Sequence, residues 1–288
     1  MTFRQYKTLR DRLTGTVCLV TGGAQGIGWA VARLLAGHGA TVHVCDISRS
    51  DIEAARSRAS SGSLHFEQVD VTDRHALEAW ISAAHSRHGR VDVLVNNAAY
   101  SRWVDDADMS DDDIERTMRT SFDAMVHATR AVVPLMLAGA GGQIITMGSL
   151  AGSVYVRGPA AAYAAAKAAA EAYSQILRLE LAHTSVDVTL VRPGAVAGTN
   201  FFRQVSSRRM SRLSDLFPAA TPEQVAAGIA RSLVRPRPVV NVPAYVPYVA
   251  AFHTLAPEKL RRLAELSGES RRDYATARGR RAGRRVGR

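Results

Sequence analysis

Apolar positions along this chain fall into two kinds of run, and the two kinds alternate. Short runs dominated by Val, Ile and Leu occupy residues 16–21, 41–46, 64–69, 91–96, 143–147, 186–192 and 239–242. Between them lie longer helical stretches at about 26–37, 50–59, 73–88, 110–138, 160–183 and 221–234. Near-continuous apolar runs of four to seven residues suit strands buried on both faces, and the longer stretches suit helices that cover them. Strict alternation predicts an α/β chain with three layers, a doubly wound central parallel sheet of about seven strands with helices on either side. Thr221-Pro222-Glu223 reads as a helix start, with Thr221 as the cap and proline in the first turn. The segment Val239 to Ala256 is too interrupted by Pro243 and Pro247 for a membrane helix. Cover over a cleft, subunit contact and membrane-surface contact all remain open for it, and Pro257 to Ser267 predicts a final amphipathic helix. The expected organisation is an N-terminal extension (1–13), one domain (14–268) with a lid at about 197–218, and a basic tail (269–288).

Candidate chemistry sits at the ends of these runs. Between the first strand and the helix after it stands Thr21-Gly22-Gly23-Ala24-Gln25-Gly26-Ile27-Gly28. Glycines permit a tight turn and let backbone N–H groups approach a pyrophosphate, which a helix N-terminus also attracts. The second strand ends in Asp46, roughly twenty residues on, where a carboxylate accepts hydrogen bonds from adenosine ribose hydroxyls and repels a 2′-phosphate. That favours NAD over NADP, with Arg49 as the nearby residue that could change the preference. Tyr163 and Lys167 stand four apart in an alanine-rich helical stretch, so both face one side about a turn apart, and an ammonium there can lower the phenol's pKa toward neutrality. A phenol tuned in this way can trade a proton with an alcohol or ketone.

Together these motifs resemble the short-chain dehydrogenase/reductase family in its single-domain form. The likeness covers residues 14–200 well and extends more loosely to about 267. It rests on the glycine loop at 21–28, Asp70-Val71 after the third strand, Asn96-Asn97-Ala98-Ala99 after the fourth, Ser149, the Tyr163/Lys167 pair, and Pro193-Gly194. The resemblance implies a Rossmann-type fold carrying nicotinamide, with Ser149, Tyr163 and Lys167 as catalytic residues. It also implies a cofactor site at Gly22, Gln25, Gly26, Ile27, Gly28, Asp46, Asp70, Val71, Asn97, Ala98, Tyr163, Lys167, Pro193, Gly194 and Val196. Asn96 is expected to brace the sheet behind the cofactor. Two departures stand out: Ser121 occupies the place where many relatives carry an asparagine that supports a proton-relaying water chain, and one extra residue separates Ser149 from Tyr163. Loops beyond the strands' carboxyl ends should line the substrate pocket, which selects Trp103, Tyr155, Phe201 and Phe202 as apolar walls for a hydrophobic or aromatic substrate. The family implies homodimers or homotetramers built through the helices at 110–138 and 160–183.

Composition narrows the remaining options. The 288 residues are 47% hydrophobic and 6% aromatic, enough for one large α/β core. The first thirteen residues lack the apolar core of a secretory signal, and no run of eighteen apolar residues occurs, so a cytoplasmic protein without a transmembrane segment is expected. Cys18 and Cys45 fall in central strands and read as buried thiols, and neither they nor the nine histidines show zinc spacing, so no metal is expected. The formal charge is +11, of which residues 271–288, with eight arginines and one aspartate, contribute +7 and the rest 11 − 7 = +4. A nucleic-acid role would rest on that short segment alone and is disfavoured. Arg203, Arg208, Arg209 and Arg212 in the lid read as a solvated face. The sequence thus favours an NAD-dependent oxidoreductase that interconverts a secondary alcohol and a ketone. The alternative is an NAD-binding sensor or scaffold without turnover, which would need the glycine loop and Asp46 but not Ser149, Tyr163 and Lys167.

Overall fold

A computed structural model describes residues 8–59, 62–156, 160–199, 201 and 210–270. Seven strands, β1 (Val17–Thr21), β2 (Thr41–Asp46), β3 (Leu64–Gln68), β4 (Val93–Asn96), β5 (Gly142–Met147), β6 (Val186–Pro193) and β7 (Val239–Val242), form one sheet. Their order is β3-β2-β1-β4-β5-β6-β7, and every pairing is parallel. The order reverses between β1 and β4, the switch point at which such sheets open a crevice beyond their carboxyl ends. The three-layer doubly wound architecture expected from the alternation is present, and each strand boundary agrees with the hydrophobic pattern to within two residues.

Ten α-helices complete the described residues: α1 (Leu9–Leu13), α2 (Gly26–Gly37), α3 (Arg49–Arg58), α4 (Arg74–His88), α5 (Asp111–Met118), α6 (Ala124–Ala138), α7 (Ala161–Glu180), α8 (Pro222–Val234), α9 (Val246–Leu255) and α10 (Pro257–Leu266). Because successive strand residues point to opposite faces, the central strands supply two cores. Cys18, Val20, Val42, Val44, Val93 and Val95 pack beneath α2 and α8, while Leu19, Cys45, Leu94 and Ile144 pack beneath α4 and α6. Both cysteines are free and buried, and burial pushes the Cys18 thiol up to about 12. Thr221 caps α8 as the sequence suggested, with Gln224 completing a reciprocal capping box.

Three local features differ from the hydrophobic reading. The single helix expected at 110–138 is split by a π-helical turn, Arg119–Asp123, which an unbroken periodicity conceals. Residues 9–13, placed by sequence in an extension, form a capped turn whose Leu13 is fully buried in the core. The proline-broken stretch after β7 folds into α9, because Pro247 falls in its first turn, where a missing N–H is tolerated. Phe202, Arg203, Arg208, Arg209 and residues 271–288 lie outside the described residues.

Candidate active site

A cleft of about 1090 Å³ opens at the switch point and runs from the glycine turn to the N-terminal part of α7. Gly22 and Gly26 adopt φ of +59° and +54°, the left-handed region that favours glycine. A Cβ on Gly22 would stand 2.9 Å from the Ala98 backbone, and one on Gly28 would strike the Gly22 carbonyl and the Asn97 side chain. The turn is held from behind by β4: Asn97 donates to the carbonyls of Thr21 and Gly22 at 3.0 and 2.9 Å. Thr21 Oγ1 in turn accepts from the backbone N–H groups of Asn97 and Ala98. Asn97 thus braces the loop, while Asn96, the last residue of β4, donates to Thr129 of α6 and ties the sheet to that helix.

This turn fits a dinucleotide. Helix α2 begins without a side-chain cap and without an acid in its first turn, which leaves its N-terminal N–H groups and positive dipole end for an anion. Asp46, nearly buried, accepts from Ala24 N–H through Oδ2 and from Ser48 N–H through Oδ1, both at 3.1 Å. Burial raises its pKa, and those two donors partly offset the rise. Arg49, the cation that could have recruited a phosphate, is turned onto Glu53 at 3.1 Å. Asp70 and Val71 border the cleft at the far end of this region, with Asp70 Oδ1 occupied by the Thr72 hydroxyl and N–H.

At the other end stand Ser149, Tyr163 and Lys167. Ser149 stands two residues beyond β5 and its Oγ accepts from Ala151 N–H at 3.1 Å, opening a short 3-10 turn. Tyr163 faces Ser149, whose side chain favours the ionised phenol. Lys167 lies one turn further along α7, its Nζ 5.7 Å from the Tyr163 ring centre and donating to the Met147 carbonyl at 2.7 Å. The sequence leads one to expect a phenol acidified by this ammonium. Instead, burial pushes Tyr163 up to about 12 despite the opposing influence of Ser149, and burial lowers Lys167 to about 8. Trp103 and Phe201 enclose the Tyr163 ring with centroids at 5.7 and 5.1 Å, and Trp103 Nε1 donates to the Phe201 carbonyl at 2.9 Å. Desolvation of the phenolate under this cover outweighs a cation aimed at a backbone carbonyl.

Of the residues expected at the site, Gly22, Gln25, Gly26, Ile27, Asp46, Asp70, Val71, Asn97, Ala98, Trp103, Ser149, Tyr155, Tyr163, Lys167, Pro193, Gly194, Val196 and Phe201 all border this one cleft. Gly28 does not line it and acts by letting α2 approach the turn. Ser121 lies behind the wall, buried in the π turn. Its hydroxyl accepts from Tyr100 N–H and donates to the Tyr100 carbonyl, both at 3.1 Å, so its one proton is directed at a backbone oxygen that leads nowhere. Sequence reasoning overlooked Gly152 and Glu171. A Cβ on Gly152 would stand 2.7 Å from the Lys167 backbone, so this glycine sets how closely the Ser149 turn approaches α7. Glu171, one turn beyond Lys167, accepts from Ser153 at 2.6 Å and pairs with Arg192 of β6, fixing α7 to both neighbours. An acid set within the alanine-rich first half of α7 was the available signal for it.

A parallel doubly wound sheet, a glycine turn at its switch point and a Ser–Tyr–Lys group facing that turn define an oxidoreductase of Rossmann-type fold. The chain belongs to the short chain dehydrogenase family, whose sequence profile matches residues 16–210. Members of this family bind NAD(H) or NADP(H) and act on small molecules. The chain is 36% identical over 186 residues to "Oxidoreductase UcpA" of Escherichia coli K12, covering 64% of this chain and 71% of that protein. It is also 36% identical over 196 residues to trans-4-hydroxycyclohexanecarboxylate dehydrogenase of Sinomonas cyclohexanicum, covering 65% and 74%. Its fold matches the crystal structure of gox2181 with a TM-score of 0.74 at 26% identity, over 83% of this chain and 98% of that one. Among the described residues no helix is long and apolar enough to cross a membrane.

Proposed function

We propose that the protein is an NAD-dependent oxidoreductase that interconverts a secondary alcohol and a ketone, with Ser149, Tyr163 and Lys167 as its catalytic residues. The observation that carries this reading is the meeting of those three side chains at one end of a single cleft whose other end is the uncapped glycine turn. Bound nicotinamide supplies the hydride acceptor or donor. The chain's own part is to exchange a proton with the substrate oxygen through Tyr163 and to donate a hydrogen bond to that oxygen from Ser149. Lys167 would hold the nicotinamide ribose hydroxyls. The preference for NAD over NADP is supported by Asp46 at the end of β2 with Arg49 paired elsewhere. Because Ser121 is tied to Tyr100, we assign it a positioning role and no place in a proton relay.

The substrate end of the cleft is walled by Trp103, Val154, Tyr155, Phe201, Phe217 and Val249. Such a wall suits a compact hydrophobic, aromatic or alicyclic substrate, and the similarity to a dehydrogenase of a hydroxycyclohexane acid agrees with it. Exposed Ile176 and Leu179 on α7 and Leu137 on α6 supply apolar surface for a cytoplasmic homodimer or homotetramer. The test is a screen of secondary alcohols with NAD+ and of ketones with NADH, followed by nicotinamide absorbance. Turnover on cyclic substrates that Tyr163→Phe abolishes supports the reading. Dinucleotide binding without turnover across the panel would instead favour the sensor or scaffold alternative.

A further inference from the structure

We propose, on the reading of the apolar end of the cleft as the substrate site, that His253 is a specificity-determining residue. It locks the loop after Ser149 onto α9, so that Tyr155 and α9 close one wall of that end together. Tyr245, Val249 and His253 stand at i, i+4 and i+8 and so share one face of the helix. Tyr245, just before the first residue of α9, and Val249 both line the cleft. His253, one turn further along, meets Tyr155.

Helix α9 is fastened at both ends. At its start the Tyr245 ring lies 4.7 Å from that of Phe217, and its hydroxyl donates to the Pro218 carbonyl at 3.3 Å. A Cβ on Gly194 would stand 2.8 Å from the same hydroxyl, so this end is set against the Pro193-Gly194 turn. Near the other end His253 Nε2 accepts from Tyr155 N–H at 3.2 Å, and the two rings meet edge to face with centroids 5.4 Å apart. Thr254, the neighbouring polar residue, is turned back on its own helix and donates to the Ala250 carbonyl. The link to the loop therefore falls to the imidazole.

That link needs an acceptor as well as a ring. A backbone N–H can only donate, so Nε2 presents its lone pair and the imidazole is neutral, with its proton on Nδ1. An apolar side chain at 253 would keep the ring contact and leave the amide without this partner. Tyr155 is held a second time by its hydroxyl, which donates to the Gly152 carbonyl at 3.1 Å. Its N–H and its hydroxyl are thus both spent inside the protein, and what Tyr155 offers to the cleft it lines is the apolar part of its ring. Contacts then run from α9 through His253, Tyr155 and Gly152 to the backbone of Lys167, which a Cβ on Gly152 would meet at 2.7 Å. Trp103 and Phe201, packed on Tyr163, line the same cleft. A pinned wall rejects rings too wide for the space it bounds, whereas a loop free to swing away admits them.

Two measurements on the full chain test this, with His253→Phe keeping a ring without the acceptor and His253→Gln restoring an acceptor. Amide hydrogen exchange needs no substrate. Exchange at Tyr155 N–H should quicken by about tenfold in His253→Phe, as loss of one net hydrogen bond implies, and stay within about threefold of the parent in His253→Gln, with melting unchanged in both. Kinetics with NAD+ then compare cyclohexanol with the bulkier menthol. The ratio of kcat/KM favouring cyclohexanol should narrow at least about fivefold in His253→Phe, through KM for menthol, and recover in His253→Gln. Equal Tyr155 exchange in the parent and His253→Phe, or an unmoved ratio in a protein that turns over cyclohexanol, overturns this proposal alone. A parent that turns over neither alcohol while its Tyr155 amide is protected overturns the proposed function, and the role of His253 in specificity falls with it.

Discussion

Replacing Asp46 by Asn tests the assigned cofactor preference. Two of the four lone-pair positions of this carboxylate already receive Ala24 N–H and Ser48 N–H. Two remain for ribose hydroxyls. An amide offers one oxygen, so Asp46→Asn keeps one backbone bond and sets its own NH2 against the other donor. One N–H left unsatisfied in this nearly buried place costs about 1–3 kcal/mol of stability. Hydrogen bonds to a charged acceptor contribute about 1.5–3 kcal/mol and to a neutral one about 0.5–1.5. NAD+ affinity should therefore fall about tenfold per bond affected. NADP+ moves the other way, because a unit negative charge at about 4 Å repels another by about 4 kcal/mol at an effective dielectric of 20. Removing that repulsion alone corresponds to about a thousandfold. Titration calorimetry with both dinucleotides should show the ratio of their dissociation constants narrowing by at least about a hundredfold. A folded variant whose ratio stays within about threefold of the parent would refute the assignment of Asp46 to the ribose.

Three further outcomes follow. Tyr163→Phe should lower kcat by about a hundredfold or more, the usual contribution of general acid–base catalysis, with NADH affinity measured by fluorescence nearly unchanged; loss of binding would make the phenol structural. Gly152→Ala forces a Cβ to within 2.7 Å of the Lys167 backbone. Since misplacement of about 1 Å can cost a hundredfold in rate, kcat should drop at least about tenfold while cofactor affinity holds, and unchanged kinetics would show that the turn relaxes freely. His43 is buried beside His65 and His88, and burial lowers its pKa to about 4 from 6.5. The unfolded chain takes up the proton first, so stability is full above pH 6.5 and declines by up to about 3 kcal/mol as pH falls to 4. Urea unfolding of His43→Leu should show a flatter decline across that window, and a slope equal to the parent's would acquit the cluster.

What the chain disclosed in advance was whatever depends on period and spacing. Val, Ile and Leu runs of strand length, separated by helical ones, leave few alternatives to a doubly wound sheet. The glycine turn, Asp46 and the Tyr163/Lys167 pair were visible because local geometry alone relates them to a ligand. The rest required neighbours distant in sequence. Gly152 matters only because α7 passes it at contact distance. Asn97 braces the turn and Asn96 ties the sheet to α6, each through partners distant in sequence. The π turn at Ser121 interrupts no hydrophobic pattern, and the stretch holding α9 looked broken although Pro247 falls in the first turn, where a helix tolerates it.

The largest discrepancy concerns a sign. A spacing of four predicts that an ammonium acidifies a phenol, yet spacing carries no information about water. Trp103 and Phe201, sixty and thirty-eight positions away in sequence, close over Tyr163 and make the loss of hydration the dominant influence. A phenol held near 12 is protonated across the physiological range. It is poised to give a proton to a developing alkoxide, and before it can take one from an alcohol it must be discharged. Lys167, whose ammonium is directed at the Met147 carbonyl, does not do this from where it stands. The same aromatic cover that excludes water from the proposed reaction thus keeps the phenol protonated, the form that donates to a ketone oxygen. Alcohol oxidation then depends on positive charge brought up against the phenol. On the proposed function, the pH at which Tyr163 can take up a proton from an alcohol is set less by its spacing from Lys167 than by the two aromatic rings against it.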